Sequence, residues 1–178
     1  TPNTTFFGAP TWTLPGTQRR YRDWLEKSAA IGDGTDFVKC ENNPVMPATL
    51  LPASYSARDF RDPKIWRGAD GRFYCVAGNR HETRQGAAVL FESENGLDWR
   101  FVGELDASRG EVGRMWECPD FFALDGAQVL LISPQEMEGD EALGFHPGNN
   151  TAAVIGDYNE KTHVFTRRAL QPVDEGFE

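Results

Sequence analysis

Two short stretches of the 178-residue sequence hold the side chains best suited to chemistry. One is Asp59-Phe60-Arg61-Asp62-Pro63-Lys64, and the other is Met115-Trp116-Glu117-Cys118-Pro119-Asp120. In each, a carboxylate stands just ahead of a proline and an apolar run follows. Two carboxylates in one cavity are the equipment of glycoside hydrolysis: one protonates the leaving oxygen, the other attacks or stabilises the sugar cation. Glu117 lies among Met115, Trp116, Cys118 and Pro119, a setting that disfavours charge and suits an acid that must carry its proton. Asp62 follows Arg61, and a guanidinium entering the same cavity favours the carboxylate form. The plainer use of either residue is to bind backbone amides at a strand start. That use accounts for one such residue more readily than for two at matched places.

An internal repeat provides the matched places. Pro63 to Gly71 and Pro119 to Gly126 both read as proline, apolar strand, Asp-Gly turn. A second apolar strand follows in each copy, Phe73–Ala77 and Val129–Ile132. The third strands also match, Ala87-Ala88-Val89 against Ala152-Ala153-Val154, and the fourth end at Leu105 and Leu170. Units of four short strands that recur about every 55–65 residues are the signature of propeller blades. The first strand of each blade lines the central channel, so Asp62 and Glu117 are expected to face one cavity. The expected fold is all-β, part of a propeller with four-stranded antiparallel blades around 60–105 and 117–170. Residues 1–35 are not assigned by the repeat, and a short helix is expected near Tyr21–Ala30, where Tyr21, Trp24, Leu25 and Ser28 have helical spacing. A ring takes about 4–8 blades. Two clear blades need another chain or a further segment to complete it, and a two-sheet sandwich is the alternative arrangement of such strands.

Composition bounds the partners. Hydrophobic residues make up 39% and aromatic residues 12%, as in globular domains. No apolar run is long enough for a transmembrane helix, so no membrane partner is expected. The polar opening stretch does not read as a signal peptide, although a leader before Thr1 is compatible with a chain that opens without Met. A net charge of −9 repels nucleic acid and anionic lipid and also serves solubility. Cys40, Cys75 and Cys118 are odd in number and widely spaced, which predicts neither a disulfide framework nor a structural zinc site. Unpaired cysteines lean towards the cytoplasm, with secretion the alternative. His81, His146 and His163 are expected at the surface, and Trp12, Trp24, Trp66 and Trp99 in packing. Gln135 and Asp157, at strand ends, are candidates to touch a substrate.

The two chemical stretches resemble the Arg-Asp-Pro and Glu-Cys-Pro-Asp signatures of glycoside hydrolase family 32, which includes invertases, sucrose-6-phosphate hydrolases, inulinases and levanases. Asn42-Asn43-Pro44-Val45, Asn95-Gly96-Leu97-Asp98-Trp99, Val129 to Gln135, Gly156-Asp157-Tyr158 and Asp174 to Glu178 resemble other segments of the family. The likeness covers about residues 36–178. It implies a five-bladed propeller followed by a β-sandwich, and hydrolysis of β-fructofuranosyl bonds with retention through a covalent intermediate. By motif, Glu117 is the general acid/base and Asp62 the transition-state stabiliser. Arg61 binds fructose hydroxyls with Asp62, and Trp116 shapes the pocket wall. No metal or organic cofactor is implied, and the partner is a fructose-containing saccharide.

One departure matters. The family nucleophile is an Asp in an Asn-Asp-Pro motif, and the single Asp-Pro pair here is Asp62-Pro63. The isolated chain is therefore expected to be inactive, with the nucleophile lying upstream in a full-length enzyme. A non-catalytic saccharide-binding propeller is the other class of function, and a related five-bladed glycosidase acting on arabinosides or xylosides is a third. The fructoside itself is left open. A phosphorylated substrate needs cations, for which Arg19, Arg20, Arg80, Arg84 and Arg109 are candidates.

Overall fold

The computed structural model describes residues 4–8, 27–32 and 35–173. Strands β1 (Thr4–Gly8), β2 (Ser28–Gly32) and β3 (Phe37–Lys39) form a three-stranded sheet, and a 3-10 turn follows at Ala48–Leu50. The remaining strands are β4 (Arg61–Arg67), β5 (Phe73–Arg80), β6 (Gly86–Ser93) and β7 (Trp99–Ala107), then β8 (Met115–Leu124), β9 (Ala127–Gln135), β10 (Ala152–Asn159) and β11 (Val164–Pro172). They make two four-stranded antiparallel meanders, β4-β5-β6-β7 and β8-β9-β10-β11. These are the two blades that the repeat predicts. The helix expected at Tyr21–Ala30 is not found where it can be checked. Ser28, Ala29 and Ala30 lie in β2, where pairing with both β1 and β3 satisfies the backbone that a helix would have satisfied internally. Residues 21–26 of that expectation, with Trp12, Trp24, Arg19 and Arg20, lie outside the described residues.

The turns follow from local chemistry. Leu124 pairs with Ala127 across Asp125-Gly126, and both turn residues have positive φ, 48° and 79°. That is the two-residue hairpin geometry that Asp-Gly favours, because its twist matches the strands.

Alternation along β5 and β6 separates two cores. Tyr74, Val76, Ala88 and Leu90 point to one side, where they pack with Trp116, Phe121, Leu130, Ile132, Ala152, Val154 and Phe165 of the second blade. Cys75, Ala77, Val89 and Phe91 point to the other side, against Met46, Phe60 and Trp99. Both faces of the first blade are thus covered, which explains why β6 is buried along its whole length and is apolar without alternation from Ala87 to Phe91. Trp66 and Trp99 pack as expected: Trp66 against Tyr74 and Phe121, Trp99 buried with its indole N–H on the Gly96 carbonyl.

A charged clasp closes the outer end of the seam between blades. Arg167 on β11 donates to Asp106 at 2.7 Å, to the Ala107 carbonyl at 2.6 Å and to Glu111 at 3.0 Å. Burial pushes the Asp106 carboxyl above its ordinary range, and the Arg167 charge and hydrogen bond work against that rise.

Candidate active site

The first strands of the two blades, β4 and β8, carry the same irregularity. Arg61 pairs with Gly78, and the next regular pair is Lys64 with Val76. Glu117 pairs with Ser133, and the next is Asp120 with Leu131. Each strand therefore holds one extra residue, a β-bulge, which turns local side chains out of the ladder. The residue after the last regular pair, Asp62 in one blade and Cys118 in the other, has left-handed backbone with φ of 52° and 46°. The two bulges match residue for residue in the frame of the aligned prolines: Glu117 with Arg61, and Cys118 with Asp62.

The matched positions face each other. Arg61 Nη1 donates to Glu117 Oε1 at 2.6 Å. The Cys118 backbone N–H donates to Asp62 Oδ2 at 3.0 Å. Lys64 Nζ donates to Asp120 Oδ2 at 2.9 Å. Both candidate carboxylates thus lie at one junction of neighbouring first strands. Glycine at two positions allows the strands to close up. A Cβ on Gly78 would lie 2.3 Å from the Trp116 carbonyl oxygen, and one on Gly86 would lie 2.3 Å from the Trp116 ring.

Three expectations change. The Arg61 guanidinium is paired with Glu117 and Asp59, not presented to Asp62. The surroundings of the Glu117 carboxylate are polar: its second oxygen accepts from Gln135 Nε2 at 2.6 Å, and its apolar sequence neighbours Met115 and Trp116 are buried on the strand behind it. Trp116 is fully buried, with its indole N–H on the Val112 carbonyl at 2.6 Å. It holds β8 from behind and presents no surface to a sugar, in place of the expected pocket wall. Cys118 is exposed.

Asp59, Ser56 and Lys27, without a role in the sequence reading, complete the site. Asp59 accepts from Arg61 Nη2 at 3.0 Å, Arg80 Nε at 2.6 Å and Ser56 Oγ at 2.8 Å. Its burial acts to raise the carboxyl, but the Ser56 and Arg80 hydrogen bonds and the two guanidinium charges outweigh it and hold the group below its ordinary value. Lys27 donates to the Phe60 carbonyl at 2.7 Å and so fixes the backbone just before Arg61. Burial lowers the Lys27 ammonium to about 8. Gln135 reaches Glu117, whereas Asp157 pairs with Arg168 in an exposed ion pair. Among the described residues, the arginines considered for a phosphate have carboxylate partners: Arg80 with Asp59, Arg84 with Glu136, Arg109 with Asp106. His81 and His163 are half-buried, bound to Glu104 and Tyr158, while His146 meets the Pro147 carbonyl.

Sequence comparison matches residues 13–178 to the Glycosyl hydrolases family 32 N-terminal domain, so the likeness starts well before residue 36. The sucrose-6-phosphate hydrolase of Bacillus subtilis is 40% identical over 168 residues, covering 88% of this chain and 32% of that protein. An insoluble β-fructofuranosidase isoenzyme of Arabidopsis thaliana is 32% identical, over 74% of this chain and 24% of its own length. Among solved structures, a Bombyx mori family 32 β-fructofuranosidase superposes with a TM-score of 0.74 at 37% identity, covering 83% of this chain and 31% of that one. A variant of it has been solved with sucrose. The chain spans about a third of the length of the Bacillus subtilis relative.

Proposed function

From the membership of this chain in glycoside hydrolase family 32, we propose that it supplies the acid/base and the stabilising carboxylate of an enzyme that cleaves β-fructofuranosyl bonds. The observation that carries this reading is the junction of the two bulged strands, where Asp62 is tied to the amide next to Glu117. In the first step Glu117, as the acid, gives its proton to the glycosidic oxygen while the anomeric carbon–oxygen bond breaks and an attacking carboxylate bonds to that carbon. In the second, Glu117 takes a proton from water, the water oxygen bonds to the anomeric carbon, and the attacking carboxylate leaves. Configuration is retained. Asp62 accepts hydrogen bonds from fructose hydroxyls that strengthen as positive charge builds on the ring. Arg61 holds Glu117 and borders the sugar. The attacking carboxylate comes from outside residues 1–178, in a full-length polypeptide.

Sucrose and sucrose 6-phosphate are the substrates to which the names of the relatives point. A cytoplasmic place fits the likeness to bacterial sucrose-6-phosphate hydrolases. The test is fructose release by the full-length polypeptide from sucrose, sucrose 6-phosphate and inulin, with an aryl arabinoside alongside. Cleavage of a fructoside is expected, and cleavage of the arabinoside alone overturns the reading. The isolated 178 residues are expected to release no fructose. Activity there would contradict the division of labour.

A further inference from the structure

We infer that Asp59 is a positioning residue for the reaction, acting through Arg61 on the acid/base Glu117; this rests on the function proposed above. Arg61 is a two-ended strut: Nη1 holds Glu117 at 2.6 Å and Nη2 holds Asp59 at 3.0 Å. A guanidinium is planar, so fixing one end of its fork fixes the direction of the other. Asp59 can serve as the anchor because it is itself held from two further sides, by Arg80 Nε at 2.6 Å and Ser56 Oγ at 2.8 Å, with its side chain only 14% exposed. Ser56 is in turn fastened to Asn79, whose side-chain oxygen accepts from the Ser56 amide at 3.1 Å. Asn79 and Arg80 lie on β5, next to Gly78, the close-approach point of β8. The relay therefore runs from the rigid second strand of one blade, through Asp59 and Arg61, to the acid on the first strand of the next. Gln135 holds the other oxygen of Glu117 from its own blade. Loss of Asp59 frees the rear of the Arg61 fork and lets Glu117 swing away from the leaving oxygen, while Asp62 keeps its own tie to the Cys118 amide.

Such a role predicts a loss that depends on the leaving group. Sucrose expels a poor leaving group and needs a well-placed acid; an aryl β-fructofuranoside expels a stable phenolate and needs it less. In the full-length polypeptide, Asp59→Asn is expected to lower kcat on sucrose about 30-fold, within the range of a general-acid contribution. The loss on the aryl fructoside should be less than about fivefold, and KM for sucrose should stay within about twofold. Asp59→Glu, which restores the charge, should recover part of the sucrose rate. Arg80→Gln tests the same anchor from behind and should show the same split if Asp59→Asn does not fold. Equal losses on both substrates, or no loss on either, overturn the role of Asp59 while leaving the proposed function in place. A wild-type protein that cleaves no fructoside overturns both.

Discussion

Asp62 and Glu117 are side chains that ordinary strand geometry would not bring to a common point. Their bulges do so at a conformational cost. Left-handed backbone costs a non-glycine residue about 1–2 kcal/mol, less for Asp, and such strain gathers where a side chain must be aimed. Asp62→Asn keeps the shape and removes the charge. It should lower kcat by about two to four orders of magnitude on sucrose while leaving the denaturation midpoint within a few degrees. At the same scale, the Asp59 carboxyl is held below its ordinary value in the folded state. Its stabilising contribution is full above the unfolded value of about 3.9 and is lost as pH falls through the lower folded value. Urea denaturation between pH 6 and 2.5 should thus show a shallower acid-side decline for Asp59→Asn than for the wild type. Parallel declines would contradict it. The sequence pointed to Asp62, Glu117 and Arg61 because their motifs are contiguous. Asp59, Arg80 and Gln135 were not legible as a unit, because their meeting depends on pairing between distant strands.

At the scale of elements, the Asp-Gly turns and the short apolar runs were readable, since each is settled within a few residues. The bulges were not: an extra residue exists only relative to a partner strand, so the aligned prolines set Asp62 level with Cys118 and Arg61 level with Glu117 without showing that both strands leave the ladder there. Nor could the burial of Trp116 be read, as it depends on Gly78 and Gly86 in the other blade. Gly78 is the more stringent of the two, because the atom it would meet is backbone. Gly78→Ala should push back the Trp116–Glu117 segment, costing about 2 kcal/mol of stability and at least tenfold in kcat. Unfolding in guanidinium and steady-state kinetics would check both.

For the molecule as a whole, the two blades belong to the five-bladed propeller of the family. Their shared core is apolar, but the outer end of the seam is held by Arg167 on Asp106, whose side chain is 1% exposed. Removal of one partner of a buried pair leaves an uncompensated charge. Arg167→Met should cost about 3 kcal/mol, with Arg109 keeping part of the compensation, and thermal unfolding should show it as a lower midpoint with little change in KM. An unchanged midpoint would show that the clasp contributes nothing to the seam.

In the proposed function Glu117, at the junction of the two blades, is the proton donor to a departing sugar. The direct measurement is the rate of fructose release from sucrose by the full-length polypeptide with Glu117→Gln, which keeps the size and the Arg61 and Gln135 neighbours but carries no acid. A fall of about a thousandfold, with the protein still folded, is the expected result. A rate within tenfold of the wild type would contradict it.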